Sequence, residues 1–144
     1  MKILFAIVAA ALIASAHTAL AQPGTGSAPA AKNRVVMQVS DADPVKWNLA
    51  LNNARNLQSD VGRDNVEIEI VAYGPGIGML KRESPVGTRI DEALTSGVAV
   101  VACENTMAAQ KLGKGDMLPS IGYVPAGVTE IMKRQQQGWA YLRP

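Results

Sequence analysis

From residue 34 to the C-terminus the apolar positions switch repeatedly between two periods, and each switch marks a change of element. Arg34 to Val39 (RVVMQV) is a short apolar run and predicts a first strand. Asp43-Pro44 then sets a capping side chain before a proline, whose missing N–H does no harm in the first helical turn. Trp47, Ala50, Leu51, Ala54, Leu57 and Val61 recur at helical spacing as far as Gly62, which predicts a helix and its stop. Val66 to Tyr73 (VEIEIVAY) alternates and predicts a second strand. Its carboxylates, Glu67 and Glu69, predict a place at the sheet edge, because a strand covered on both faces has no water to solvate them. Ser84-Pro85 repeats the cap and proline and predicts a second helix through Ile90, Ala93 and Leu94 to Gly97. Val98 to Ala102 (VAVVA) is uninterruptedly apolar, the pattern of a central strand. Asn105 or Thr106 is placed to cap a short third helix through Leu112. Ser120 to Val124 predicts a fourth strand, Val128 to Gln137 a fourth helix closed by Gly138, and Trp139 to Arg143 a last strand.

The order βαβαβαβαβ predicts an α/β fold, a parallel sheet with helices on both faces, in a single domain over residues 34–144. Ligands of such sheets bind beyond the carboxyl ends of the strands. The segments just past those ends are Ser40 to Asp43, Gly74 to Gly78, Cys103 to Thr106, and Pro125 to Gly127. In a parallel sheet all four share one rim.

Residues 1–21 stand outside this pattern. Lys2, an apolar run from Ile3 to Ala16, and Ala19-Leu20-Ala21 compose a secretory signal, with cleavage expected before Gln22. The run is short and Ala-rich for a membrane anchor. Residues 22–33 (QPGTGSAPAAKN) read as a flexible tether. The expected mature chain is therefore periplasmic or secreted, with no membrane attachment.

Charge and residue counts now narrow the chemistry. The net charge of +2 becomes +1 once Lys2 leaves, and the 14 Lys and Arg are scattered among 12 Asp and Glu, so no nucleic-acid partner is expected. The only histidine, His17, leaves with the signal. Without imidazole, serine or cysteine triads with a His base and His-containing zinc sites are excluded. No residues complete a metal site, and no cofactor is implied. Gly74 to Gly78 (GPGIG) lacks the spacing of a dinucleotide or phosphate loop, so its glycines are assigned to a tight strand exit or a close backbone approach.

One thiol remains. Cys103 cannot close a bridge within its own chain and lies on the rim before a helix start, where unpaired N–H groups favour thiolate while Glu104 opposes it. It is either reactive or a buried, inert wall residue. Asn105, Thr106, Asp41 and Gly76 share that rim and are the candidate binding positions. Asp43 is assigned to capping. Asn52, Asn53 and Asn56 on the first helix point to side-chain hydrogen bonding or, more simply, to a solvated face.

Several segments carry a resemblance: Cys103-Glu104-Asn105-Thr106-Met107, Asp116-Met117-Leu118-Pro119, Val124-Pro125-Ala126-Gly127-Val128, and the ending Gln137-Gly138-Trp139-Ala140-Tyr141-Leu142-Arg143-Pro144. Leu51-Asn52-Asn53-Ala54-Arg55-Asn56 and Tyr73-Gly74-Pro75-Gly76 add to it. With these the chain resembles DsrE/DsrF-like proteins across nearly all of its expected mature length. The resemblance implies a three-layer α/β/α fold with a mainly parallel five-stranded sheet, assembly into homo-oligomers (trimers or hexamers), and sulfur relay as a persulfide on a cysteine, which only Cys103 can match. A sulfur donor or acceptor protein is then an expected partner. The well-studied relay members are cytoplasmic and built from different subunits, whereas this chain carries an export signal. The alternative is a non-catalytic oligomeric module that binds a small ligand or peptide between subunits, with Cys103 inert.

Overall fold

Both ends of the first helix form as their residues dictate. In the computed structural model, which describes residues 32–144, the Asp43 carboxylate accepts the Val45 N–H at 2.9 Å. Helix α1 (Pro44–Val61) then runs to Gly62, whose φ of 87° turns the chain out. The expected signal, its cleavage point before Gln22, and residues 22–31 of the expected tether lie outside the described residues. Strand β1 (Asn33–Val39) precedes α1, and β2 (Val66–Ala72), α2 (Gly87–Thr95), β3 (Ala99–Cys103) and α3 (Glu104–Ala109) follow. Strand β4 (Gly122–Val124), α4 (Gly127–Gln136) and β5 (Ala140–Leu142) complete the chain.

The five strands pair in the order β4-β3-β2-β1-β5, all parallel. Period-two alternation along them sorts side chains onto two faces. Val35, Met37, Ile68, Ile70, Val100 and Ala102 face one way and pack with Trp47, Ala50, Leu51 and Ala54 of α1, Ile90 of α2 and Met107 of α3. Val36, Val71 and Val101 face the other way, against Ile131 of α4. The fold is thus three-layered α/β/α, with one face covered, among the described residues, by a single ten-residue helix.

Strand β2 is not at an edge. It lies in the middle of the sheet, between β1 and β3, and corrects the expectation drawn from its two carboxylates. Glu67 is exposed, but Glu69 retains only 2% of its surface. Its charge is met from α4, where Arg134 Nε contacts Glu69 Oε2 and Arg134 Nη2 donates to Oε1 at 3.3 Å. Glu130 Oε1 lies 2.9 Å from the same Nε, and the Trp139 ring centroid is 4.7 Å from the guanidinium carbon. These carboxylates, Glu69 foremost, raise the Arg134 pKa further above its ordinary value. A buried carboxylate is tolerated in a central strand when a guanidinium covers it.

Two helix starts also shift. Ser84-Pro85 forms a turn, closed by Gly87 N–H donating to the Ser84 carbonyl at 3.1 Å, and α2 starts only at Gly87. The third helix ends at Ala109 rather than Leu112, and its capping position is Cys103 rather than Asn105 or Thr106. Strand β3 therefore includes Cys103, one residue further than its apolar run implies.

Arg134→Met leaves Glu69 buried and unpaired, and is expected to cost about 3–5 kcal/mol of stability in urea unfolding. The double variant Glu69→Leu/Arg134→Met is expected to recover most of that loss, because it removes both charges together.

Candidate functional site

Chain direction creates a crevice at one point of the C-terminal rim. The connection leaving β3 enters α3, whose Met107 belongs to the α1–α2 side, whereas the connection leaving β4 enters α4 on the opposite side. Adjacent strands whose exits diverge to opposite faces leave a gap between them, and in open α/β sheets that gap is where ligands bind. Cys103 ends β3 at this gap, and Gly127 opens α4 across it.

Polar groups from both helix starts lie around the Cys103 sulfur, which accepts no capping hydrogen bond from α3. Burial alone would push its thiol pKa up. The Thr106 hydroxyl, then the backbone N–H groups of Gly127, Thr106 and Asn105, act the other way and bring it below its ordinary value. The Asn105 N–H also donates to the Pro125 carbonyl at 3.1 Å, so Thr106 and Gly127 are the donors free to serve the sulfur. Gly74 N–H donates to Thr106 Oγ1 at 2.9 Å, which leaves the hydroxyl proton for the thiolate. The loop after β2 thereby orients the donor that faces β3.

Gly127 is glycine for a steric reason. A Cβ there would lie 3.0 Å from Tyr73 Cβ, so a side chain at this position would push Tyr73 and the N-terminus of α4 apart by a few tenths of an ångström. Tyr73 forms the next part of the wall. Its phenol is pushed above its ordinary pKa by burial, then by the neighbouring Tyr141, with Arg143, Ser40 and Asp41 also within electrostatic reach. Tyr141 Oη donates to Gln38 Oε1, and Gln38 Nε2 donates to Ser40 Oγ at 3.0 Å. A polar strip thus runs along the rim from β5 across β1 towards the thiol.

The other rim positions divide. Thr106 lies near enough to Cys103 to lower its pKa, while Asn105 is exposed at the first turn of α3. Asp41 is held at the β1 exit by Lys46 at 3.1 Å and Arg143 at 3.6 Å, and the Lys46 contact, ahead of Arg143, lowers its pKa. Gly76 is a close-approach glycine, since a Cβ would stand 2.2 Å from the Val39 carbonyl oxygen. Asn52, on α1, accepts from Arg89 Nη2 at 2.7 Å and so is not simply solvated, whereas Asn56 is exposed. Sequence reasoning set Pro125 to Gly127 on the rim but missed Gly127 as a donor and Tyr73 as a wall. A glycine at a strand-to-helix exit was the available signal.

Access to the sulfur is narrow, because Cys103 retains 5% of its surface. Among the described residues no group of three or more His, Cys, Asp or Glu side chains could hold a metal ion, and no helix is long and apolar enough to cross a membrane. The arrangement offers one thiol with polar groups around it and, among the described residues, no imidazole.

A family model described as the DsrE/DsrF-like family matches residues 33–144. Among solved structures, the chain is similar to MTH1491 of Methanobacterium thermoautotrophicum, a protein of unknown function. The identity is 37% and the TM-score 0.75, over 78% of this chain and 100% of that one. A protein of unknown function from Bacteroides thetaiotaomicron, BT1422, shares the fold at 17% identity and a TM-score of 0.59, over 78% and 95% of the two chains. No curated protein matches.

Thiolate absorbance of the native protein is expected to rise at lower pH than that of the unfolded chain, whose thiol titrates near ~8.5. Thr106→Val should move the native midpoint upward and Thr106→Ser should restore it. Because the folded pKa is the lower one, the thiolate adds stability as pH rises from the folded towards the unfolded pKa, and this is lost as pH falls through the folded value. Cys103→Ser should flatten that part of the stability profile.

Proposed function

The chain belongs to the DsrE/DsrF-like family, and from that premise we propose that it carries sulfane sulfur as a persulfide on Cys103. The observation that carries this reading is the place of the one thiol among the described residues, at the carboxyl end of β3 where the exits to α3 and α4 diverge, with its pKa drawn below the ordinary value by the Thr106 hydroxyl and nearby N–H groups against the effect of burial. In the loading step the Cys103 thiolate attacks the outer sulfur of a donor persulfide, R–S–SH. The bond between the donor's two sulfurs breaks, R–S⁻ departs with the electron pair, and Cys103–S–SH forms. In the unloading step an acceptor thiolate attacks the outer sulfur of Cys103–S–SH, and Cys103 leaves as thiolate.

Neither step needs an oxidant, a metal or an imidazole. The same donors serve both. They raise the thiolate fraction for the attack, and they make Cys103 a better leaving group for the release, since thiols of low pKa depart faster. Asn105 at the mouth, and the strip of Tyr73, Tyr141, Ser40 and Asp41, would meet the group that brings or takes the sulfur. Gly76 would keep the loop after β2 close enough for Gly74 to hold Thr106.

The reading includes export through the segment 1–21, release before Gln22, and assembly of identical chains into trimers or hexamers. These rest on the sequence and on the family likeness. A second reading is favoured by the 5% exposure of Cys103: a binding module whose thiol is only a small wall residue.

Intact mass of the protein recovered from the exported fraction and offered polysulfide tests the proposal. A mature N-terminus at Gln22 and one added sulfur, removed by reductant and absent in Cys103→Ala, is the expected result. A thiol that stays bare under polysulfide, and alkylates fast only after unfolding, establishes the binding module instead.

A further inference from the structure

A second concave site lies away from the thiol, in the cleft between α1 and α2. The cleft has a volume of about 180 Å³. Its floor is small and apolar, with Ala54 from one helix and Ala93 from the other, and Val98 beyond them. Three arginines line it, Arg55, Arg63 and Arg89, against one acidic residue, Glu92. Val98 begins the segment that Cys103 ends, so the cleft lies towards the opposite end of β3 from the thiol.

One of these guanidinium groups, that of Arg89, is oriented without being neutralised. Arg89 Nη1 and Nη2 donate to the side-chain oxygens of Asn48 and Asn52, both neutral acceptors. Among the described residues none of the three arginines forms an ion pair, although Arg134 and Arg143 do. A guanidinium fixed by neutral acceptors keeps its charge and its remaining N–H groups for another anion. Gln58, buried to 8% exposure, also lines the cleft. Its amide nitrogen is committed to the Ser96 carbonyl at 2.8 Å, which holds the side chain in place beside the arginines.

From this geometry we infer that the α1–α2 cleft binds a small organic anion, with its carboxylate or phosphate among Arg55, Arg63 and Arg89 and its short apolar stem over Ala54, Ala93 and Val98. Two opposed alanines leave the room, and the arginines set the sign of the ligand. The inference stands apart from the chemistry of Cys103, so either can fail alone.

Calorimetric titration of the full chain at low ionic strength, with hexanoate, hexyl phosphate and inorganic phosphate as probes, decides it. At least one of the two stemmed anions is expected to bind saturably and about tenfold more tightly than inorganic phosphate, and the better of them identifies the head group. Arg55→Gln and Arg63→Gln, both at exposed side chains, should each weaken that binding by about tenfold, while Cys103→Ala leaves it unchanged. The inference is overturned by no saturable binding of either stemmed probe, by equal affinity for inorganic phosphate, or by binding that neither arginine variant weakens.

Discussion

The return of the chain across its own sheet is the constraint on which the rest depends. Strands β1 to β4 are laid down in one direction, and β5 must then come back to lie beside β1. A parallel connection keeps its right-handed sense only if the returning helix crosses on the opposite face. Helix α4 is therefore forced away from α1, α2 and α3, and the exits of β3 and β4 part. The gap that receives Cys103, and the helix start that meets it from the far side, are products of chain topology before any side chain is chosen.

That same return leaves α4 alone on its face among the described residues, and the sequence compensates locally. Ile131 supplies the apolar contact with Val36, Val71 and Val101. Arg134 reaches down to Glu69 and stands over Trp139, tying the helix to the centre of the sheet and to the approach to β5. The start of α4 lies at the gap that holds Cys103, so the anchoring of its last turn and the placement of its first belong to one rigid piece. A charge buried in the sheet thus bears on the geometry at the thiol without touching it.

What was legible in the sequence was mostly local. Asp43, Pro44 and Gly62 marked the ends of α1 because capping and chain reversal are decided within a few residues. The apolar run into Cys103 put the thiol on the rim. Glu69 misled, because its partner lies 65 residues on and no pattern within β2 announces it. Ser84-Pro85 misled in another way: the same pair that caps a helix also makes a turn, and burial of Val86 in the core settles which. The sequence placed Thr106 beside Cys103, but not the Gly74 N–H that fixes its proton. Arg89 likewise gives no sign in the chain of the two asparagines it will find on another helix.

The two outermost strands, β4 and β5, are only three residues long. An unpaired strand edge is a template on which another chain can lay its own backbone, and proteins blunt such edges by shortness, charge or proline. Here brevity does it. A stray strand could add only a few ladder bonds at either side, too little to hold against the entropy of pinning it. This sheet is thereby guarded against growing sideways into a fibre. Among the described residues, the backbone ladder is closed to newcomers on both sides.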